Sequence, residues 1–145
     1  MARGFTLLEL VVVMGLLVAL GGISALYSRA VRSRLNLAAA TRQVVMDLKV
    51  ARMRAVAQHT TRRVQFSSIG AQYRHQQRSG RTYVDDGVPI GLPAGITIAD
   101  CTAAERAISF RPRGTAGSFG TVTLQNGDGM QRQIVVDIAG QVRVP

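Results

Sequence analysis

The chain has 145 residues, with eighteen Lys and Arg against eight Asp and Glu, a formal net charge of +10, and a single cysteine. That length leaves room for one small domain beside an extended segment, and the lone Cys101 excludes an intrachain disulfide. Cys101 itself reads as a loop residue or a half-buried small one.

The amino terminus carries the strongest signal. From Leu10 to Ser28 there is no Asp, Glu, Lys, Arg or His, and at about 1.5 Å of rise per residue this run covers roughly 30 Å, the hydrocarbon thickness of a bilayer. One carboxylate, Glu9, stands at its mouth. A secretory signal peptide fits poorly, because the apolar run exceeds the usual ~7 to 15 residues and no small-x-small cleavage site with a polar mature start follows it. Thr6 and Glu9 have the spacing of a capping box, so Glu9 can serve as a helix start. An acidic group inside a membrane segment is also a functional candidate by default.

The run Arg3 to Val13, RGFTLLELVVV, resembles the processing motif of the type IV pilin and type II secretion pseudopilin superfamily. The resemblance implies that a prepilin peptidase cuts between Gly4 and Phe5 on the cytoplasmic side and that Phe5 becomes an N-methylated amino terminus. It also implies that Glu9 pairs with the terminal amine of a neighbouring subunit. Two unit charges at 4 Å attract by about 4 kcal/mol at an effective dielectric near 20, before desolvation, which is enough to set axial register. The division implied is a leader over 1–4, a transmembrane and filament-core helix over 5–28, an amphipathic continuation over 29–58 and a β-rich periplasmic domain over 59–145. Arg29, Arg32 and Arg34 follow the apolar run against only Arg3 before it, and a count of positive charges would put the carboxyl side in the cytoplasm. The cleavage motif requires the opposite orientation and decides the matter: a single pass of the inner membrane with the carboxyl-terminal domain in the periplasm. Gly15, Gly21 and Gly22 weaken the helix in its apolar half.

After the apolar run the helical period continues. Leu37, Thr41, Val44, Leu48, Ala51 and Ala55 step alternately by four and three, while Arg42, Lys49, Arg52 and Arg54 fall mainly elsewhere around the barrel, so one helix from about Thr6 to about Gln58 is expected, amphipathic in its second half. Beyond His59 the pattern turns to short strands: Arg63–Phe66, Gln72–Gln76, Thr82–Val84, Ile96–Ile98, Ala107–Phe110, Thr121–Gln125, Gln131–Asp137 and Gln141–Val144. Asn126-Gly127-Asp128-Gly129 is the best hairpin turn. Helix followed by strands predicts an α+β fold, the amphipathic half-helix packed on a small antiparallel sheet.

Ile108-Ser109-Phe110, Arg111-Pro112-Arg113-Gly114, Gly117-Ser118 and Ile134 to Asp137 followed by Ala139-Gly140-Gln141-Val142 resemble the globular region of H-type minor pseudopilins and their FimT/FimU-like relatives. Ala51, Arg52 and Ala55 with Val64 resemble the helix end and first strand of that group. The twenty-second residue after the cut is Leu26, where many major pilins carry proline, and no cysteine pair closes a carboxyl-terminal loop; both imply a minor component. The partners so implied are other pilins or pseudopilins, the peptidase and the inner membrane.

Residues 29–145 hold seventeen Arg and Lys against seven Asp and Glu. Arg62, Arg63, Arg74, Arg78, Arg81, Arg111 and Arg113, with Tyr73 and Tyr83 interleaved, could form a phosphate-binding face, although a solvated basic surface needs no ligand. FimT-like relatives bind DNA through a Gly-Arg-x-Arg tail; Gly140-Gln141-Val142-Arg143 lacks its first arginine. The alternative reading is therefore a DNA-binding pilin of an uptake system, with Arg111, Arg113 and Arg143 as nucleic-acid contacts. Catalysis is not expected. His59 and His75 have no Cys or acidic group at metal-ligand spacing, Asp85-Asp86-Gly87 reads as a turn rather than a calcium site, and Gly114 to Gly120 lacks the lysine of a phosphate loop; neither metal nor cofactor is expected.

Overall fold

The structure, a computed structural model, describes the backbone of residues 6–69 and 71–145, and the side chains of these residues other than 20–30. The cleavage motif residues Gly4 and Phe5 lie outside the described residues. A single helix, α1, spans Leu7–Ala57 and passes through Gly15, Gly21 and Gly22 without interruption. Its first part and the domain that begins at Ser33 are separate compact units.

In the first unit the large apolar side chains that are described are exposed on every side of the helix. Leu7, Leu8, Leu10, Val11, Val12, Val13, Met14, Leu16, Leu17 and Val18 are all between 49% and 81% exposed. A helix that is apolar all round is found buried, in lipid or among other helices. Among the described residues no helix is long and apolar enough to cross a membrane. The expected 5–28 span runs on through side chains outside the described residues.

In the second unit, α1 from Leu37 onward lies on strands. Leu37, Thr41, Val44, Leu48, Ala51 and Ala55 are each at most 3% exposed, the stripe expected from the four-three spacing. Thr41 sits in that stripe without an orphaned hydroxyl because its Oγ1 donates to the Leu37 carbonyl at 2.7 Å. The helix ends at a chain reversal in which Thr60 N–H bonds Ala55 O and His59 N–H bonds Val56 O, with His59 at φ 50°, the left-handed position that usually takes glycine.

The strands form two antiparallel sheets. One has β1 (Arg62–Phe66), β2 (Gln72–Ser79), β3 (Thr82–Asp85), β4 (Ile90–Gly91), β6 (Ala107–Phe110) and β7 (Ala116–Ser118), in the order β3-β2-β1-β6-β7 with β4 also paired to β2. The other has β5 (Ile96–Cys101), β8 (Gly120–Asn126), β9 (Gln131–Val136) and β10 (Val142–Arg143), in the order β10-β9-β8-β5. Val64, Phe66, Tyr73, Ile108 and Phe110 from the first and Ile96, Val122, Leu124, Ile134 and Val136 from the second join the helix stripe in one core. The fold is α+β, a long helix packed on antiparallel strands.

The eight expected strands are present, Ala107–Phe110 with the expected ends and the others with shifted ones. Two were missed: β4, only two residues long, and β7, which lies inside the glycine-rich run 114–120. Gly117 in β7 lies so close to β6 that a Cβ there would stand 2.8 Å from Ser109 Oγ, so its glycine serves strand pairing. Cys101 is the last residue of β5 and is 7% exposed, rather than a loop or half-buried residue; burial pushes its thiol pKa up. The expected Asn126 hairpin joins β8 to β9. Asn126 Oδ1 accepts from the backbone of Asp128 at 3.1 Å and of Met130 at 2.8 Å, while its Nδ2 donates to Ser33 Oγ on α1 at 2.9 Å.

Candidate functional site

At the amino-terminal end, Thr6 Oγ1 accepts the backbone N–H of Glu9 at 3.3 Å, and Leu10 N–H bonds Thr6 O at 3.2 Å. One half of the capping box is therefore made by the threonine. Among the described residues no hydrogen bond or ion pair engages the Glu9 carboxylate, which leaves it exposed at the positive end of the helix dipole.

The basic residues do not form the continuous face that the sequence suggested. Strand alternation in β1 turns Arg62, Val64 and Phe66 inward, and Arg62 is 5% exposed, its guanidinium held by Asp86, Gln58 and, at 3.0 Å, Gln77. Tyr73 is fully buried, its hydroxyl donating to Asp47 on α1 and accepting from Gln43 Nε2 at 3.0 Å. Neither can touch a nucleic acid. Arg63 lies 3.8 Å from the centre of the Tyr83 ring and 3.0 Å from Glu105, and Arg74 pairs with Asp85 at 3.2 Å. Arg143 is paired as well, with Asp137 at 3.7 Å and Gln141 at 2.8 Å.

The acidic pair at the end of β3 is explained by the same kind of pairing. Asp86 faces Arg62 and also Arg54, at 3.6 Å, while Asp85 accepts from Gln76 at 2.7 Å; the Gln76 bond and Arg74 together hold the Asp85 carboxyl below the usual range. Among the described residues no group of three or more His, Cys, Asp or Glu is placed to hold a metal ion. Burial pushes the pKa of His75, on β2, below its ordinary value.

Of the expected contact residues, Arg111 and Arg113 share the turn after β6 and line one groove with Arg78; Arg143, on β10, is not among its lining residues. Arg78, expected on the same basic face, does meet Arg111 and Arg113 there, and the bond from its backbone N–H to Thr61 O at 2.9 Å holds its strand in place. Arg52 on α1 was named only for its place in a pattern. Its Nε donates to Gly114 O at 2.8 Å and its Nη2 reaches Ala139 O at 3.5 Å, so one guanidinium ties the helix to two turns of the domain.

The fold has solved counterparts. The minor pseudopilin EpsH from the type 2 secretion system of Vibrio cholerae superposes with a TM-score of 0.63 over 76% of this chain and 96% of that one, at 10% identity. The type IV minor pilin FimU of Pseudomonas aeruginosa gives 0.61 over 77% and 90%, at 18% identity. No curated protein is significantly similar in sequence. Residues 40–140 match the family described as type II transport protein GspH, and the chain belongs to that family.

Proposed function

We propose that this chain is a minor pseudopilin or minor pilin, a non-enzymatic structural subunit of a type II secretion pseudopilus or of a type IV pilus tip. The observation that carries the reading is the first part of α1, where ten large apolar side chains are exposed on all sides and one exposed carboxylate, Glu9, stands at the start. Such a surface requires lipid or other apolar helices around it. In this reading residues 1–4 are removed by prepilin peptidase, Phe5 is methylated, 5–28 anchors the subunit in the inner membrane and then in the filament core, and 29–58 and 59–145 form the periplasmic part. The partners are the helices of other pilin-like subunits, and Glu9 neutralises the amine of a neighbour.

Glu9→Gln separates this role from capping. The amide keeps the shape, and the Thr6 hydroxyl bond to the Glu9 backbone is untouched, so helix content stays while co-purification with the other filament subunits falls. Undiminished co-purification of the Gln variant would leave Glu9 as a helix start only. The second reading, nucleic-acid contact at Arg111, Arg113 and Arg143, draws on the surplus charge but loses Arg62 and Tyr73 to the core.

A further inference from the structure

Five arginines of the domain are matched by a carboxylate, and of those with described side chains that are not, three gather in one groove. Arg54 and Arg62 meet Asp86, Arg63 meets Glu105, Arg74 meets Asp85 and Arg143 meets Asp137. Arg78, Arg111 and Arg113 line a groove of about 450 Å³ with Thr61, Pro112 and Thr115, and the lining contains two hydroxyls and no acidic residue. All three arginines are exposed, and among the described residues none of them makes an ion pair. Arg78 Nε donates only to Gly80 O, at 3.0 Å.

Arg111 and Thr115 also line a second groove of about 390 Å³, which has an apolar wall of Ala116, Phe119 and Ile138. Phe119 is 52% and Ile138 68% exposed. Unmatched guanidinium groups and an uncovered apolar wall therefore share one edge.

We propose that the two grooves together dock an acidic–apolar segment of another protein. Carboxylates would be gripped by Arg78, Arg111 and Arg113, whose planar forks suit bidentate pairing, while a large aliphatic side chain next to them covers Phe119 and Ile138. Charge complementarity selects an acidic occupant, and the apolar wall selects a protein over a simple anion. A single nucleic-acid strand fits less well, because it needs flat faces on which successive bases stack. Phe66, Tyr73 and Phe110 are buried and the Tyr83 ring is covered by Arg63, which leaves Phe119 as the open aromatic face among the described residues. That the partner is a fellow subunit of the filament rests on the proposed function; the acidic–apolar chemistry does not.

The test uses the full chain in its own host, with a photoreactive benzoylphenylalanine in place of Thr115 or, in a second strain, of Ile138. After irradiation, the attached peptide is identified by mass spectrometry. The expected peptide belongs to another protein and has two or more carboxylates beside a large apolar residue. Arg111→Glu with Arg113→Glu should lower its yield roughly tenfold, equivalent to about 1.4 kcal/mol. Reversing the partner's carboxylates to lysine in the same strain should restore it. The milder Arg111→Gln, Arg113→Gln pair, with unchanged melting temperature, should also lower the yield and guards against a folding defect. A crosslink to nucleic acid, a peptide without acidic residues, or a yield indifferent to charge reversal would each overturn the proposal. The same photoreactive group at Leu8 reports on assembly by the helix. If Leu8 crosslinks to other subunits while the groove shows no acidic partner, the docking proposal alone fails; loss of both fails the filament reading with it.

Discussion

Arg52 Nε donates to the carbonyl oxygen of Gly114 at 2.8 Å, and around this bond three chain segments meet. Gly114 and Gly140 both have positive φ, 81° and 77°, and a Cβ on Gly140 would overlap the same Gly114 oxygen. The Ala139-Gly140 pair is thus there to let two turns approach under one guanidinium.

Removing this tie should be measurable as stability. Arg52→Ala loses charge-assisted bonds to two carbonyls and is expected to cost about 1.5–3 kcal/mol. Gly140→Ala should cost at least as much, because the left-handed conformation alone opposes a side chain by roughly 1–2 kcal/mol before the overlap is counted. The double variant should lose less than the sum, since both changes break one junction. Urea unfolding of the four proteins gives the values, and strict additivity would show that the two turns are held independently.

The two neighbouring aspartates at the end of β3, Asp85 and Asp86, should behave differently. Asp86 neutralises Arg62, whose side chain is 6% exposed, whereas Asp85 pairs with Arg74 in the open, with 43% and 47% of the side chains exposed. Asp86→Ala is expected to cost about 1–3 kcal/mol by leaving a buried charge poorly matched, and Asp85→Ala less than about 1 kcal/mol. Calcium should stabilise neither the parent nor the variants. Equal losses, or a melting temperature raised by calcium, would contradict the pairing.

His75 gives the domain a pH dependence. Burial lowers its pKa in the folded state, so protons bind the unfolded chain more readily, and stability falls as pH drops below the ordinary value of about 6.5 until the lowered folded pKa is passed. Well above that ordinary value the group contributes no slope. Unfolding measured between pH 7.5 and 5 should show this loss in the parent and a smaller one in His75→Gln, and parallel curves would place the effect elsewhere.

Much of the fold was legible because its signals are periodic. The spacing of Leu37, Thr41, Val44, Leu48, Ala51 and Ala55 named the buried face of α1, and the Asn126 to Gly129 turn named the hairpin. What escaped were features set by pairing across distance. β4 is held by two residues opposite β2, and β7 reads as a glycine-rich loop until β6 lies beside it. Arg62 was expected in solvent because arginine usually is; the alternation that buries Val64 and Phe66 carries it inward, where Asp86, Gln58 and Gln77 were waiting. The basic surface was legible as a sum of charges but not as a place. Only the fold separates Arg78, Arg111 and Arg113 from the rest of the expected basic face and gives Arg143 its own carboxylate.

The central claim, that this is a filament subunit processed next to its apolar helix, is tested most directly by the intact mass of the chain isolated from a host with prepilin peptidase. The account predicts loss of residues 1–4 and one added methyl group on Phe5, with the Leu10 to Ser28 segment retained and Gly4→Leu blocking the cut. A full-length mass, or a cut after Ala25 or Ser28 that releases the domain from the apolar run, would contradict it.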